Sequence, residues 1–287
     1  MHSKASCALQ RRHEAMFIVY QTRHVRTGGT VALDSLYRQL HDLIGDNAFL
    51  CNEDNHMSPV CSNPPKYAVA ITGEWCHEVL EDHGIPDGHF QGRGIQYHLG
   101  FHHDGDICAG HIAMTDSQYL ATYLHTRVMS AYFLGCPMTK RISDHYAGML
   151  MATQSTGVMK ENLIVIDPDL GEDYAPEEPV HYELPVGVRG VMAKDIHPDD
   201  MPLLLHRAKV TMDLALPGPE RLSGEGAMLG AVPIISSRWN GASDVDFPGV
   251  LRVDAQNGTA ITEMIAHAFS NYDSITKSER NAEFVSY

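Results

Sequence analysis

Along most of the chain, short apolar runs alternate with stretches whose apolar positions recur every three to four residues. The run "MFIVYQ" (16–21) is unbroken, the pattern of a strand covered on both faces. A polar loop, "TRHVRTGGT", follows it. Next comes "VALDSLYRQLHDLIG", with Leu and Ile at helical spacing. "NAFLC" and "YAVAITGEW" read as a second and a third strand, and "GIQYHLGF" continues the series. "GHIAMTDSQYLATYLHTR" reads as a strand, then Thr115 and Asp116 as cap candidates, then a helix. "NLIVIDPDLGEDYAPEEP" is a strand that breaks into an acidic, proline-bearing segment.

The second half repeats this order. "HPDDMPLLLHRA" predicts a helix with Asp199 and Asp200 near its positive end, and "KVTMDLAL" a strand. A glycine-rich loop and small-residue helix follow, then the strands "AVPIIS" and "GVLRVD" and a closing helix, "AITEMIAHAFSNY". The alternation predicts an α/β protein of parallel β-α units. The expected divisions are a flexible tail at 1–14, a first domain at 15–166, a linker at 167–180, a second domain at 181–267 and a C-terminal helix and tail at 268–287.

Composition narrows the class. A length of 287 residues with 44% hydrophobic and 20% charged content suits two modest globular domains. No apolar run approaches the roughly 18 residues that span a bilayer, so no membrane span is expected. The start, "MHSKASCALQRRHEAM", has basic residues but no apolar core of a secretory signal, and a cytoplasmic location is expected. Six scattered cysteines without a CxxC pair fit reduced thiols better than a disulfide framework. The net charge of −15 argues against a nucleic-acid partner, leaving room for a local site that takes one small phosphorylated ligand.

The most informative stretch is "PGPERLSGEGAMLGAVPIISSRWNGASD" (217–244): a polar loop, a small-residue helix, a proline-led strand and a second polar loop. It places Glu225 where loop is expected to turn into helix. With "FIVYQTRHVRTGGTVALDSLYRQL", and with "IAMTDSQYLATYL" followed by "NLIVIDPDLGEDYAP", it resembles the glycosyltransferases of GT-B architecture over about residues 16–268. "ERLSGEGAMLGAVPIIS" is the most specific part, similar to the donor-side signature of Glu, small residues, Gly, Pro and a β run. Many retaining members carry a second glutamate eight positions earlier, where this chain has Pro217, and "GAVPII" is closer to exostosin-type sequences. Retention or inversion therefore stays open, with inversion favoured.

The resemblance implies two Rossmann-like domains facing a central cleft. It also implies a nucleotide-sugar donor (UDP- or GDP-sugar first), a glycan or small-molecule acceptor, and no metal or other cofactor. A carboxylate at a helix start accepts hydrogen bonds from ribose hydroxyls, while first-turn N–H groups favour phosphate. Glu225 is thus the ribose candidate, with Ser223 and Gly224 letting the backbone close on the phosphates. Arg221 and Arg189 are candidates to neutralise the leaving diphosphate, and Gly28 and Gly29 to shape the cleft floor. His24, in the loop after the first strand, is the candidate base, as the resemblance implies for inverting members. Glu74 and Asp104 compete with it.

"QYHLGFHHDGD" (96–106) adds His98 and His102 as acceptor contacts, and Trp239 offers a stacking surface for a sugar or base. His98, His102, His103, Asp104 and Asp106 also suggest a different class, a metal-dependent hydrolase or transferase, although no helical ligand pairing such as HExxH is present. A third reading is a non-catalytic protein that binds nucleotide sugars.

Overall fold

The computed structural model describes residues 15–21, 28–54, 58–73, 76–86, 88–98, 110–115, 118–126, 131–134, 148, 160–167, 180–197, 200–214, 221–237, 246 and 250–277. The chain is a mixed α/β protein with two sheets, of six and five strands. It forms two compact units, residues 1–96 with 106–112 and residues 97–105 with 113–287.

The first sheet contains β1 (Phe17–Tyr20), β2 (Ala48–Cys51), β3 (Val69–Thr72), β4 (Gly94–His98), β5 (His111–Thr115) and β6 (Ala131–Phe133) in the order β2-β1-β3-β4-β5-β6. The pairings of β1 with β2 and β3, of β3 with β4 and of β5 with β6 are parallel. Ile18, Val19 and Tyr20 are all fully buried, as the unbroken apolar run requires of a strand covered on both faces. After β1 comes α1 (Gly28–Ile44), which buries Ala32, Leu33 and Leu36 and exposes Arg38, His41 and Asp42. Short helices α2 (Pro59–Ser62) and α3 (Cys76–Asp82) follow β2 and β3, and α4 (Gln118–His125) follows β5. One core joins Ile18, Tyr20, Ala70, Val79, Ile85 and Phe90.

A disulfide links Cys51, at the end of β2, to Cys61 in α2, with the Cα atoms 5.6 Å apart. This corrects the expectation of six free thiols. The bridge brings α2 to the end of β2, and sequence spacing carries no sign of that return. Both cysteines are buried, and Tyr20 donates its hydroxyl to the Cys61 carbonyl (3.2 Å). A bridge across so short a loop removes unfolded-state freedom worth about 2–3 kcal/mol. Cys51→Ala with Cys61→Ala is expected to lower the unfolding free energy by about that amount in urea titrations. Equal midpoints and slopes for the two proteins would contradict it.

The second sheet contains β7 (Glu161–Ile166), β8 (Arg189–Met192), β9 (Ala208–Asp213), β10 (Val232–Ser236) and β11 (Leu251–Val253) in the order β11-β10-β9-β7-β8, with every pairing parallel. Both faces are covered. Leu163 and Val165 of β7 pack with Leu205 of α5 (Met201–Arg207) and with Leu222 of α6 (Arg221–Met228) and the following Leu229. Ile164 and Ile166 pack on the other face with Ile261, Ile265 and Ala268 of α7 (Gly258–Ser270). The chain then forms α8 (Tyr272–Thr276).

Two expected boundaries change, those at 166 and 267. The tail at 1–14 lies outside the described residues, as does the linker at 167–180 apart from Asp167 and Val180. β7, expected to close the first domain, is hydrogen-bonded into the second sheet, because a buried apolar run specifies a strand but not its partners. The division expected at 267 falls inside α7, whose Ala268 is part of the core.

Candidate functional site

In chain order within each sheet, both sheets place the second strand at one edge, beside the first, and continue from the first to the third. This is the 2-1-3-4-5 doubly wound order. In such sheets the connections diverge between the first and third strands, leaving a crevice outside their carboxyl ends. For the second sheet those strands are β7 and β9.

Polar residues that end apolar runs mark this edge. Asp213 ends β9 and is fully buried, and Ser236 ends β10 at 1% exposure. Asp167 follows β7 and donates its backbone N–H to the Met212 carbonyl (2.8 Å). Next along the chain, α6 packs on β9 and β10, so its N-terminal turn follows the end of β9. Ser223 is fully buried, and its hydroxyl has no hydrogen-bond partner among the described residues. No described atom lies within 4 Å of where a side chain at Gly224 would begin. Gly226 faces β9, where a Cβ would stand 2.5 Å from the Thr211 methyl.

Glu225 stands differently from its expected position. The helix begins at Arg221, so Glu225 lies one turn inside it and is 6% exposed. No acid occupies the first turn. The attraction between carboxylates and helix N-termini is confined to that turn, so it does not account for an acid in the second turn.

Arg189 is not brought to this edge. Expected to neutralise the leaving diphosphate, it instead opens β8, level with Leu163 of β7. There it pairs with Glu161 at 3.4 Å, beside a tighter pair of Arg207 with Glu161 at 2.6 Å. Those contacts hold the Glu161 carboxyl below the usual range, the Arg207 hydrogen bond first. Because the strands run parallel, this ion-paired group marks the amino-terminal end of the sheet.

The first sheet, taken by itself, has a similar carboxyl edge. Gln21, Thr72, Gln96, His98 and Thr115 are all buried there. Thr72 has no hydrogen-bond partner for its hydroxyl among the described residues. His98 ends β4. Gly28 and Gly29 form the first turn of α1 and not part of a loop. His83 Nε2 donates to the Gln21 carbonyl (3.0 Å), and the Gln21 N–H donates to the Cys51 carbonyl (2.9 Å). His24, Glu74, His102, His103, Asp104, Asp106 and Trp239 lie outside the described residues, as does the side chain of Arg221. Among the described residues no three His, Cys, Asp or Glu side chains converge as a metal site, and no helix is long and apolar enough to cross a membrane.

Asp213, Ser236, Gln21, Thr72 and Gln96 were not singled out in the sequence. A signal existed, since the runs "VTMD", "PIIS", "VAIT" and "IAMT" each end in a polar residue that proves buried.

No family model matches the chain, and no curated protein matches it. Among solved structures, the chain is similar to the N-terminal domain of trehalose-6-phosphate phosphatase from Candida albicans, at 9% identity and a TM-score of 0.49. That likeness spans 94% of this chain and 93% of the other, and at such a score it carries no argument about function.

Proposed function

We propose that the protein is a GT-B glycosyltransferase that binds a nucleotide sugar at the carboxyl edge of the second sheet and transfers the sugar to a hydroxyl of a glycan or small molecule. The observation that carries this reading is α6. It is an eight-residue helix that follows the end of β9 at the switch point, has an acid-free first turn, and holds Ser223 buried with its hydroxyl unpartnered among the described residues.

In this reading the diphosphate lies against the first-turn N–H groups of α6, which offer hydrogen bonds and the positive end of the helix dipole. Ser223 adds a hydroxyl donor, and Gly224 lets the backbone approach. Glu225 accepts from the ribose hydroxyls. This geometry suits a chain of net charge −15, since backbone donors supply the anion site where overall charge does not. His24, the base that the sequence resemblance implies, takes the proton of the attacking hydroxyl. As the C1–O bond to the diphosphate breaks, the leaving group's charge is held at α6, and the acceptor oxygen forms the new C1–O bond.

The test is thermal unfolding with UDP-, GDP-, TDP- and CMP-sugars in EDTA. A cognate donor at about 100 times its dissociation constant adds about 2.7 kcal/mol, a shift of about 5–11 °C for a unit of 150–250 residues. No shift with any donor would overturn the proposal. A shift without turnover across acceptors would favour the binding-protein reading.

A further inference from the structure

Lys160 stands immediately before β7, at the amino-terminal end of the second sheet, the end opposite Asp213 and Ser236. Its ammonium donates to three backbone carbonyls: Leu205 (3.2 Å), Ala208 (2.8 Å) and Leu229 (2.7 Å). Leu205 is in the last turn of α5, Ala208 is its C-cap, and Leu229 directly follows α6. A lysine has three donors, and here each has an acceptor at two helix C-termini. Such ends carry partial negative charge, so one cation serves both helix dipoles at once.

We propose that Lys160 is the positioning residue for α6, fixing its carboxyl end and thereby where Ser223 and Glu225 stand at the other end. This rests on the reading of α6 as the donor helix. An eight-residue helix has little more than two turns and moves as one body, so the ties at its end set the location of its first turn.

Those ties are few. Lys160 holds Leu229. The Tyr272 hydroxyl donates to the carbonyl of Gly230 (2.6 Å), and Gly230 ends the helix at φ +82°, a conformation that suits glycine. Toward the sheet, Gly226 rests on Thr211. Burial pulls the Lys160 amine down to about 7, and the three carbonyls oppose that pull by favouring the cation. His206, beside it on α5, is lowered by burial and then by the Lys160 charge. A lysine that merely filled space would not need all three donors satisfied.

The experiment compares Lys160→Met, which keeps length and loses every donor, with Lys160→Arg, which keeps the cation. Hydrogen exchange across the full chain and titration with UDP and GDP are the two readouts. In Lys160→Met, amide exchange in residues 221–230 rises about tenfold while that of β1 and α1 is unchanged, and nucleotide affinity falls about tenfold, corresponding to the loss of one or two charged hydrogen bonds. Lys160→Arg keeps both within about threefold of the unaltered protein, because the charge at the helix ends persists.

Unchanged exchange in 221–230 for Lys160→Met overturns the proposal, and so does raised exchange with unchanged affinity. Should Lys160→Met fail to fold, Lys160→Arg decides: tenfold faster exchange in 221–230 would overturn the charge-based hold. If the unaltered protein binds neither nucleotide, the donor-site reading falls, and the exchange data still report whether Lys160 holds α6.

Discussion

Glu225→Gln weakens nucleoside-diphosphate binding by about 10- to 100-fold, the value of one charge-assisted hydrogen-bond pair traded for a neutral one. The substitution keeps shape and one acceptor oxygen, so packing around the second turn of α6 changes little. Inorganic pyrophosphate separates the two halves of the site. Its affinity stays within about threefold, because the first-turn N–H groups that hold phosphate are untouched. Titration calorimetry on both ligands gives the comparison. Equal loss for both ligands would make Glu225 a structural residue of the helix. No loss for either would remove it from the site.

Gly226→Ala carries the second large effect. The new Cβ would lie 2.5 Å from the methyl and 3.0 Å from the hydroxyl oxygen of Thr211. Thr211 is fully buried in β9, which is flanked by β7 and β10, and its branched side chain has few rotamers to retreat into. Overpacking of this kind costs about 1–3 kcal/mol. Thr211→Ala removes both obstructing atoms, so the double variant is expected to be no less stable than Thr211→Ala alone. Urea unfolding of the four proteins closes the cycle. Additive losses would mean that α6 does not rest on β9 through this glycine. Because the contact also sets the height of α6 above the sheet, Gly226→Ala should reduce nucleotide affinity along with stability.

Much of this fold is legible in the apolar pattern, and the exceptions have physical causes. β1, β3, β7 and β10 were readable because strands covered on both faces carry unbroken apolar runs. β8 was not, since an edge strand exposes Arg189, Gly190 and Met192 and has no such run. Which sheet β7 joins was equally hidden, because pairing partners leave no mark on a strand's own residues.

The start of α6 was misplaced for a related reason. "ERLSGEG" reads as loop by propensity, yet Leu222, Ala227 and Leu229 bury themselves against the sheet and hold those residues helical from Arg221. That shift moved Glu225 from the helix tip to its second turn. Arg189 was linked to the site by nearness in sequence, but a parallel strand carries its first residue to the opposite edge. Ser223 and Gly224, expected in the loop before the helix, instead belong to the first turn of α6.

The central claim is that a nucleotide sits on the first turn of α6. Crystals of the protein with UDP or GDP test it most directly. The account predicts a diphosphate within hydrogen-bond distance of the Ser223 and Gly224 backbone and ribose hydroxyls on the Glu225 carboxylate. A nucleotide bound elsewhere, with that turn untouched, would contradict it.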